Sequence, residues 1–172
     1  MMYNERGERH GQVLDIAKKM MVAARTAPKA KGVDIIELAV LDGVQLEDLA
    51  AEMRVVANEK GFKFFLRDAG CIEASECVLL VGTADRPQGL NCGHCGFERC
   101  ADRPQGIPCE INSVDVGIAL GVAVSKAADY GVDTRIMFSA GLAAQRLGYL
   151  GACKQVYAIP ISASAKSPFF DR

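Results

Sequence analysis

The chain has 172 residues and a formal net charge of −1, from 20 Lys and Arg against 21 Asp and Glu. With 50% hydrophobic and 24% charged residues, residues 1–172 are expected to fold as a single domain and not to stay disordered. The near-neutral charge gives no electrostatic basis for binding nucleic acid or an acidic membrane surface. The apolar runs are also shorter than a membrane helix needs, and the N-terminus is polar. We therefore expect a soluble, cytoplasmic protein without nucleic-acid or membrane partners.

The hydrophobic pattern predicts helices that alternate with short strands. Helical spacing of apolar residues predicts helices at 9–25, Leu46–Asn58, Ser113–Tyr130 and Ala140–Leu147. Short apolar runs predict strands at Asp34–Leu41, Cys77–Gly82 and Gln155–Ile161. The aromatic segment Phe62–Leu66 fits neither pattern and is left unassigned. The expected fold class is α/β (α+β), with helices packed on a small mixed sheet.

Between residues 83 and 110 the periodicity is lost, and Pro, Gly, Asp, Arg and Cys dominate. A structureless stretch of this length inside a compact domain usually has a function. The chain has seven cysteines, an odd number, and no secretory signal, which argues against a disulfide framework. We therefore expect residues 83–110 to form an irregular insertion whose cysteines bind a metal centre.

Cys92, Cys95, Cys100 and Cys109 form a C-x2-C-x4-C-x8-C motif within 18 residues. Thiolates are soft ligands that suit zinc and iron–sulfur clusters. Structural zinc usually takes two separate C-x2-C pairs, whereas three closely spaced cysteines with a more distant fourth suit a [4Fe–4S] cluster. The spacing favours the cluster, and zinc or free thiols remain the alternatives.

The other three cysteines, Cys71, Cys77 and Cys153, lie in or beside apolar segments and are expected to be buried small hydrophobes.

A hexapeptide repeat surrounds the motif. Residues Ala84–Gly89, with the sequence ADRPQG, recur as Ala101–Gly106 at an offset of 17 residues that maps Cys92 onto Cys109. One interpretation is two unrelated Pro-Gly turns, since these residues favour turns anywhere. The other is a pair of matched turns that present two cysteines to one site.

Several segments resemble a family of bacterial and archaeal proteins known for containing a ferredoxin domain. They are ARTAPKAKGVD (Ala24–Asp34), FFLRDA (Phe64–Ala69), LNCGHCGFERC (Leu90–Cys100), DVGIALG (Asp115–Gly121) and the C-terminal PISASAKSPFFDR. The resemblance implies an iron–sulfur protein and no particular reaction. The cysteine run is also similar to the [4Fe–4S] module of electron-transfer and corrinoid-reducing proteins, whose fourth cysteine comes later than Cys109 does here.

The order of helices and strands is also similar to that of a compact flavin nitroreductase, which holds FMN at a dimer interface. This resemblance implies that Arg25, Lys29 and Lys31 would meet the flavin phosphate. The alternative is that these cations follow a helix C-terminus and interact with its dipole. Gly117, Gly121 and Ser125 would permit close helix packing, within one chain or in a homodimer.

The expected function is one-electron transfer to a redox partner protein or a small-molecule acceptor, with or without bound FMN. The alternatives are a structural zinc protein and an iron–sulfur redox sensor without catalysis. The sequence leaves open whether the chain is an enzyme, and oxidoreductase is the class that these features favour.

Overall fold

The computed structural model describes residues 2–170, so the last two residues of the C-terminal PISASAKSPFFDR segment lie outside the described range. The α-helices within that range are α1 (Glu5–Thr26), α2 (Val44–Lys60), α3 (Lys63–Glu73), α4 (Glu110–Asp129) and α5 (Phe138–Arg146). The strands are β1 (Ile36–Leu41), β2 (Cys77–Ala84), β3 (Asp133–Thr134) and β4 (Cys153–Ser162).

The strands form one sheet in the order β1-β2-β4-β3, and each neighbouring pair is antiparallel. The α/β (α+β) class is confirmed, but the expected mixed sheet is wrong. The reason lies in α3, which begins within the unassigned segment Phe62–Leu66. A single crossover helix would favour a parallel β2, whereas two successive helices reverse the chain once more and let β2 run antiparallel to β1.

Helices cover both faces of the sheet, and β2 shows this most clearly because its side chains alternate between two cores. Val78 and Leu80 pack with residues of α2, α3 and α5. Leu79 and Val81 pack with residues of α1 and α4. Because β2 is buried on both faces, its sequence reads as one continuous apolar run.

Helix α4 directly follows Cys109, the last cysteine of the motif. Within the described residues it is the helix that is long and apolar enough to cross a membrane, by length and composition alone. The core helix of a soluble protein passes the same test, and Val116 and Ala123 of α4 are buried against α1 and the sheet. Gly117 and Gly121 lie on the exposed side, where an added Cβ would meet nothing within 4 Å apart from the adjacent residues and the helix's own backbone. Close helix packing within the chain therefore does not explain these glycines.

Candidate metal centre

The cysteine motif lies on the connection from β2 to α4. Residues 85–109 form no strand or α-helix in the structure, and a short 3-10 turn, Cys100–Asp102, is the regular element that they contain. The connection begins where β2 ends, at Ala84, and it ends at Cys109, the residue that precedes the first turn of α4. We call residues 85–109 the cysteine loop.

The four cysteines of the loop differ in exposure. Cys92 is exposed, Cys95 and Cys100 are half-buried, and Cys109 is buried, with 7% of its surface accessible. All four are free thiols. Within residues 2–170 no three His, Cys, Asp or Glu side chains are arranged so that they could hold a metal ion. The loop thus carries four free donors without presenting a preassembled cage.

Asn91 and Cys100 fix the middle of the loop. The backbone N–H of Asn91 donates to Sγ of Cys100 at 3.3 Å, and its Oδ1 accepts from the backbone N–H of Cys100 at 2.9 Å. Asn91 adopts a left-handed conformation, with φ of 49°, which Asn tolerates better than most residues. An N–H group aimed at sulfur stabilises a thiolate, so this contact suits a ligand cysteine.

The start of the loop is tied to the scaffold through buried amides. Gln88 is 7% exposed and donates through Nε2 to Oδ1 of Asn112 at 3.0 Å. Asn112, in the first turns of α4, donates in turn through Nδ2 to the carbonyl oxygen of Arg86 at 2.8 Å. Lys31 Nζ donates to the carbonyl oxygen of Gln88 at 3.0 Å. These bonds hold the loop against α4 and against the segment that follows α1.

The two copies of the hexapeptide touch each other. Arg103 of the second copy donates through Nη2 to Oδ1 of Asp85 of the first at 3.0 Å. The Arg103 side chain is 6% exposed, and its Nε and Nη1 are buried without a hydrogen-bond partner. The Arg103 backbone N–H bonds to the carbonyl oxygen of Cys100 at 3.4 Å. The Arg103–Asp85 contact supports the interpretation that the two copies belong to one site. That they jointly present Cys92 and Cys109 to this site stays a prediction.

These residues fit an iron–sulfur group chemically. Such a group is anionic and binds through thiolates, and its sulfur atoms accept hydrogen bonds. The loop offers four free thiols, one N–H that already donates to sulfur, and a buried guanidinium with two donors to spare.

The remaining cysteines are core residues, as the sequence predicts. Burial raises the pKa of Cys77 to about 12, and the nearby carboxylates of Asp42 and Glu76 add to the effect. Burial and Glu37 likewise raise the pKa of Cys153 to about 11. Both side chains are thus protonated thiols at neutral pH, unlike a metal ligand.

The residues predicted to meet a flavin phosphate have partners within the chain. Arg25 Nη1 donates to Oδ2 of Asp34 at 2.8 Å and to the carbonyl oxygen of Ile36 at 2.7 Å. Lys29 Nζ, whose side chain is 5% exposed, donates to the carbonyl oxygen of Ala24 at 3.0 Å near the end of α1. Lys31 instead contacts the cysteine loop. The structure brings Arg25 and Lys29 together around Asp34, and their role toward a phosphate stays a prediction.

The sequence does not reveal the residues that hold the loop in place, which are Gln88, Arg103 and Asn112. It also gives Lys31 a different role, as a partner of a flavin phosphate. One signal was available for two of them, because Gln88 and Arg103 belong to the hexapeptide repeat. A second was the polar side chain of Asn112 at the start of the otherwise apolar α4.

Comparison with solved structures defines the fold. The chain superposes on an FMN-dependent nitroreductase from Clostridium difficile with a TM-score of 0.57 and 15% identity, covering 88% of this chain and 76% of that one. It superposes on a nitroreductase with bound FMN from Bacteroides fragilis with a TM-score of 0.61 and 12% identity, covering 88% and 77%. The predicted nitroreductase-like fold is confirmed. At such identities the likeness concerns the fold alone.

Sequence comparison defines the family. A protein of Archaeoglobus fulgidus is 44% identical to the chain over an alignment of 182 positions, which covers 100% of this chain and 98% of the relative. The family model that matches residues 105–172 is described as uncharacterised proteins containing a ferredoxin domain. The chain belongs to this family. The matched residues include Cys109, whereas Cys92, Cys95 and Cys100 precede them.

Proposed function

We propose that the protein binds a [4Fe–4S] cluster through Cys92, Cys95, Cys100 and Cys109 and transfers single electrons. The observation that carries the proposal is the loop itself, where four free thiols with the spacing C-x2-C-x4-C-x8-C lie on one segment that is hydrogen-bonded to the scaffold. Membership of a family described by its ferredoxin domain supports the same chemistry.

When bound, the cluster would supply a site that stores and releases one electron. The four cysteines would hold it, and four thiolate ligands leave no open iron, which favours electron transfer over Lewis-acid chemistry. Asn91 donates to a ligand sulfur, and Lys31 and Asn112 keep the loop docked on the scaffold.

The exposure of Cys92 suits electron exchange with a partner that docks at the loop. We propose that the partner is a redox protein or a small-molecule acceptor in the cytoplasm. The net charge of −1 provides little long-range attraction, so docking would depend on the local surface of the cysteine loop.

Metal and sulfide analysis of protein purified without oxygen tests the proposal. We expect about four irons and four sulfides per chain, a broad visible absorption band, and bleaching of that band by dithionite. Stoichiometric zinc in a colourless protein would contradict the proposal and favour the structural-zinc alternative. If reduction or loss of the cluster changes the oligomeric state of the protein and has no other effect, the redox-sensor alternative is favoured.

Single cysteine replacements test the ligand set. Alanine at position 92, 95, 100 or 109 is expected to lower the bound iron strongly, because each replacement removes one thiolate from the set. Cys77→Ala is the matched control, since Cys77 is a protonated core thiol and its replacement is expected to leave the iron content unchanged. A Cys109→Ala variant with full iron content would show that another residue is the fourth ligand.

A second candidate is an FMN-dependent oxidoreductase, and the shared fold of the Bacteroides fragilis nitroreductase with bound FMN favours it. This candidate would be supported if the denatured wild-type protein released flavin. The Arg25→Ala protein should then contain no flavin, and the Arg9→Ala protein should retain it. Arg9 is the matched control because it is an arginine of the same helix that pairs with Glu5. Native protein without flavin absorbance or extractable FMN would end it.

A further inference from the structure

Arg103 is the buried cation of the cysteine loop, and its hydrogen bonding is incomplete. One of its three nitrogens, Nη2, donates to Asp85 at 3.0 Å. The other two, Nε and Nη1, are buried and have no partner. Buried guanidinium donors are normally satisfied by carboxylates, carbonyl oxygens or another anionic acceptor. Two unsatisfied donors on a single buried side chain therefore call for an acceptor from outside the chain, either water or a bound anion.

The position of Arg103 limits where that acceptor can lie. Its guanidinium is tied to Asp85 at the start of the loop, and its backbone is tied to Cys100 within the 3-10 turn. The side chain is 94% buried, since 6% of it is exposed. The free donors thus belong to a side chain that is buried where the two copies of the hexapeptide meet, on the residue that directly follows the turn with the predicted ligand Cys100.

The other copy of the hexapeptide shows that this burial is specific. Arg86 occupies the equivalent position in the sequence ADRPQG, but it is exposed to solvent. An arginine in this hexapeptide is therefore not buried by its local sequence. The Arg103 side chain is instead buried where it pairs with Asp85 of the first copy.

We propose that Nε and Nη1 of Arg103 donate hydrogen bonds to sulfur atoms at the cluster site and thereby raise the reduction potential of the bound cluster. The inference rests on the proposed function, because it needs an anionic iron–sulfur group held by the loop. In the reaction concerned, one electron passes from a reduced redox partner to the cluster, and the partner is oxidised by one electron without any change in covalent bonds. Reduction adds one negative charge, which a buried cation and its N–H groups stabilise more than they stabilise the oxidised form.

Two substitutions separate charge from hydrogen bonding. Arg103→Gln removes the positive charge, and Arg103→Lys keeps the charge while losing the planar fork of donors. The matched controls are Arg86→Gln and Arg86→Lys in the first copy of the hexapeptide, where the arginine is exposed. Each protein is loaded with iron and sulfide without oxygen. Its iron content, its reduction potential from an optical titration with mediators, and the melting temperature of its metal-free form are then measured.

We expect Arg103→Gln to lower the one-electron equilibrium constant for reduction at least tenfold, which corresponds to about 59 mV. Arg103→Lys is expected to lower the reduction potential by a smaller amount. The Arg86 variants are expected to have the same reduction potential as the wild type. Equal potentials in the wild type and both Arg103 variants would overturn the inference while leaving the cluster itself in place. A wild-type protein that takes up no iron would overturn the proposed function, and the inference with it.

Loss of the cluster from the variants is also informative. If neither Arg103 variant retains iron, the metal-free Arg103→Lys protein decides the matter, because lysine can still pair with Asp85. An unchanged melting temperature would support direct donation to the cluster site. A clearly lowered melting temperature would show that Arg103 serves the fold of the loop, and would overturn the inference.

Discussion

The two copies of ADRPQG have the same sequence and different structural roles. In the first copy, Asp85 accepts a hydrogen bond from a buried arginine, and Gln88 is 7% exposed. In the second copy, Asp102 is exposed and pairs with the exposed Arg99 at 2.9 Å, while Gln105 is exposed. The arginines are reversed, because Arg103 of the second copy is the buried one.

This difference shows that tertiary contacts decide the role of each copy. The first copy follows β2 directly and lies against α4, so its glutamine reaches Asn112. The second copy begins within the 3-10 turn Cys100–Asp102, and its arginine reaches back to the first copy. At the aspartate, arginine and glutamine positions, one copy therefore supplies the more buried member and the other copy an exposed counterpart, so these three residues can each be tested against an identical residue at the surface.

The largest expected difference between the copies is at the aspartates. Asp85→Ala leaves the buried guanidinium of Arg103 without its carboxylate, and an uncompensated buried charge lowers the free energy of unfolding by about 3 kcal/mol. Asp102→Ala breaks a surface pair with Arg99 and is expected to cost about 0.5 kcal/mol. Urea unfolding of the metal-free proteins measures both values. Equal losses in the two variants would show that the Asp85–Arg103 contact is no more important than a surface ion pair.

The next difference is at the glutamines. Gln88→Ala removes a buried hydrogen bond to Asn112 and leaves the Asn112 carbonyl oxygen without that donor, so the free energy of unfolding should fall by about 1–2 kcal/mol. Gln105→Ala alters an exposed side chain and should change it by less than about 0.5 kcal/mol. The same urea experiment compares them. A Gln88→Ala protein as stable as Gln105→Ala would contradict the role given to the amide pair in docking the loop.

Most of the scaffold could be predicted from local patterns, and the exception is instructive. The run from Cys77 predicts the central strand because a strand covered on both faces is apolar at every position. Helix α3 was missed because Phe62 and Phe64 are exposed and stack on each other at 5.6 Å, beside the buried Phe65. Aromatic contacts at the start of α3 thus hide its helical period. Because the sequence does not reveal this second helix between β1 and β2, it does not reveal the antiparallel direction of β2 either.

In the candidate site, the sequence predicted the donors and not their supports. Cysteine spacing is a local property, so the four thiols could be found without a structure. The partners of the supporting residues are distant in sequence: Asn112 comes 24 positions after Gln88, and Gln88 comes 57 positions after Lys31. No pattern within a short window encodes such pairs, because they form only when α4 and the end of α1 are placed by the sheet.

The cysteines that follow the two copies should differ in reactivity before metal is bound. Cys92 is exposed and Cys109 is 7% exposed at the start of α4. Iodoacetamide should alkylate Cys92 at least about tenfold faster in the metal-free protein, since a buried thiol must wait for a local opening that costs about 1.4 kcal/mol or more. Mass spectrometry of a time course measures both rates, with Cys77 as the internal reference because burial raises its pKa to about 12.

Equal rates at Cys92 and Cys109 would show that the end of the loop opens freely in the metal-free protein. Iron loading provides the complementary measurement. If both cysteines are ligands, bound metal should protect both of them from alkylation to a similar extent. Protection of Cys92 without Cys109 would place the fourth ligand elsewhere.

The smallest expected difference is at the glycines, where the two copies should behave alike. Gly89 and Gly106 have φ of 70° and 90°, and an added Cβ at either position would meet nothing within 4 Å beyond the adjacent residues. Alanine would therefore be strained by the backbone conformation alone, at a cost of about 1 kcal/mol in each copy. The two variants should agree within about 0.5 kcal/mol in urea unfolding, since the strain depends on the turn and not on the surroundings. A clear difference between them would mean that the copies differ in backbone as well as in side-chain contacts, and the exposed residues of one copy would then no longer serve as matched controls for the buried residues of the other.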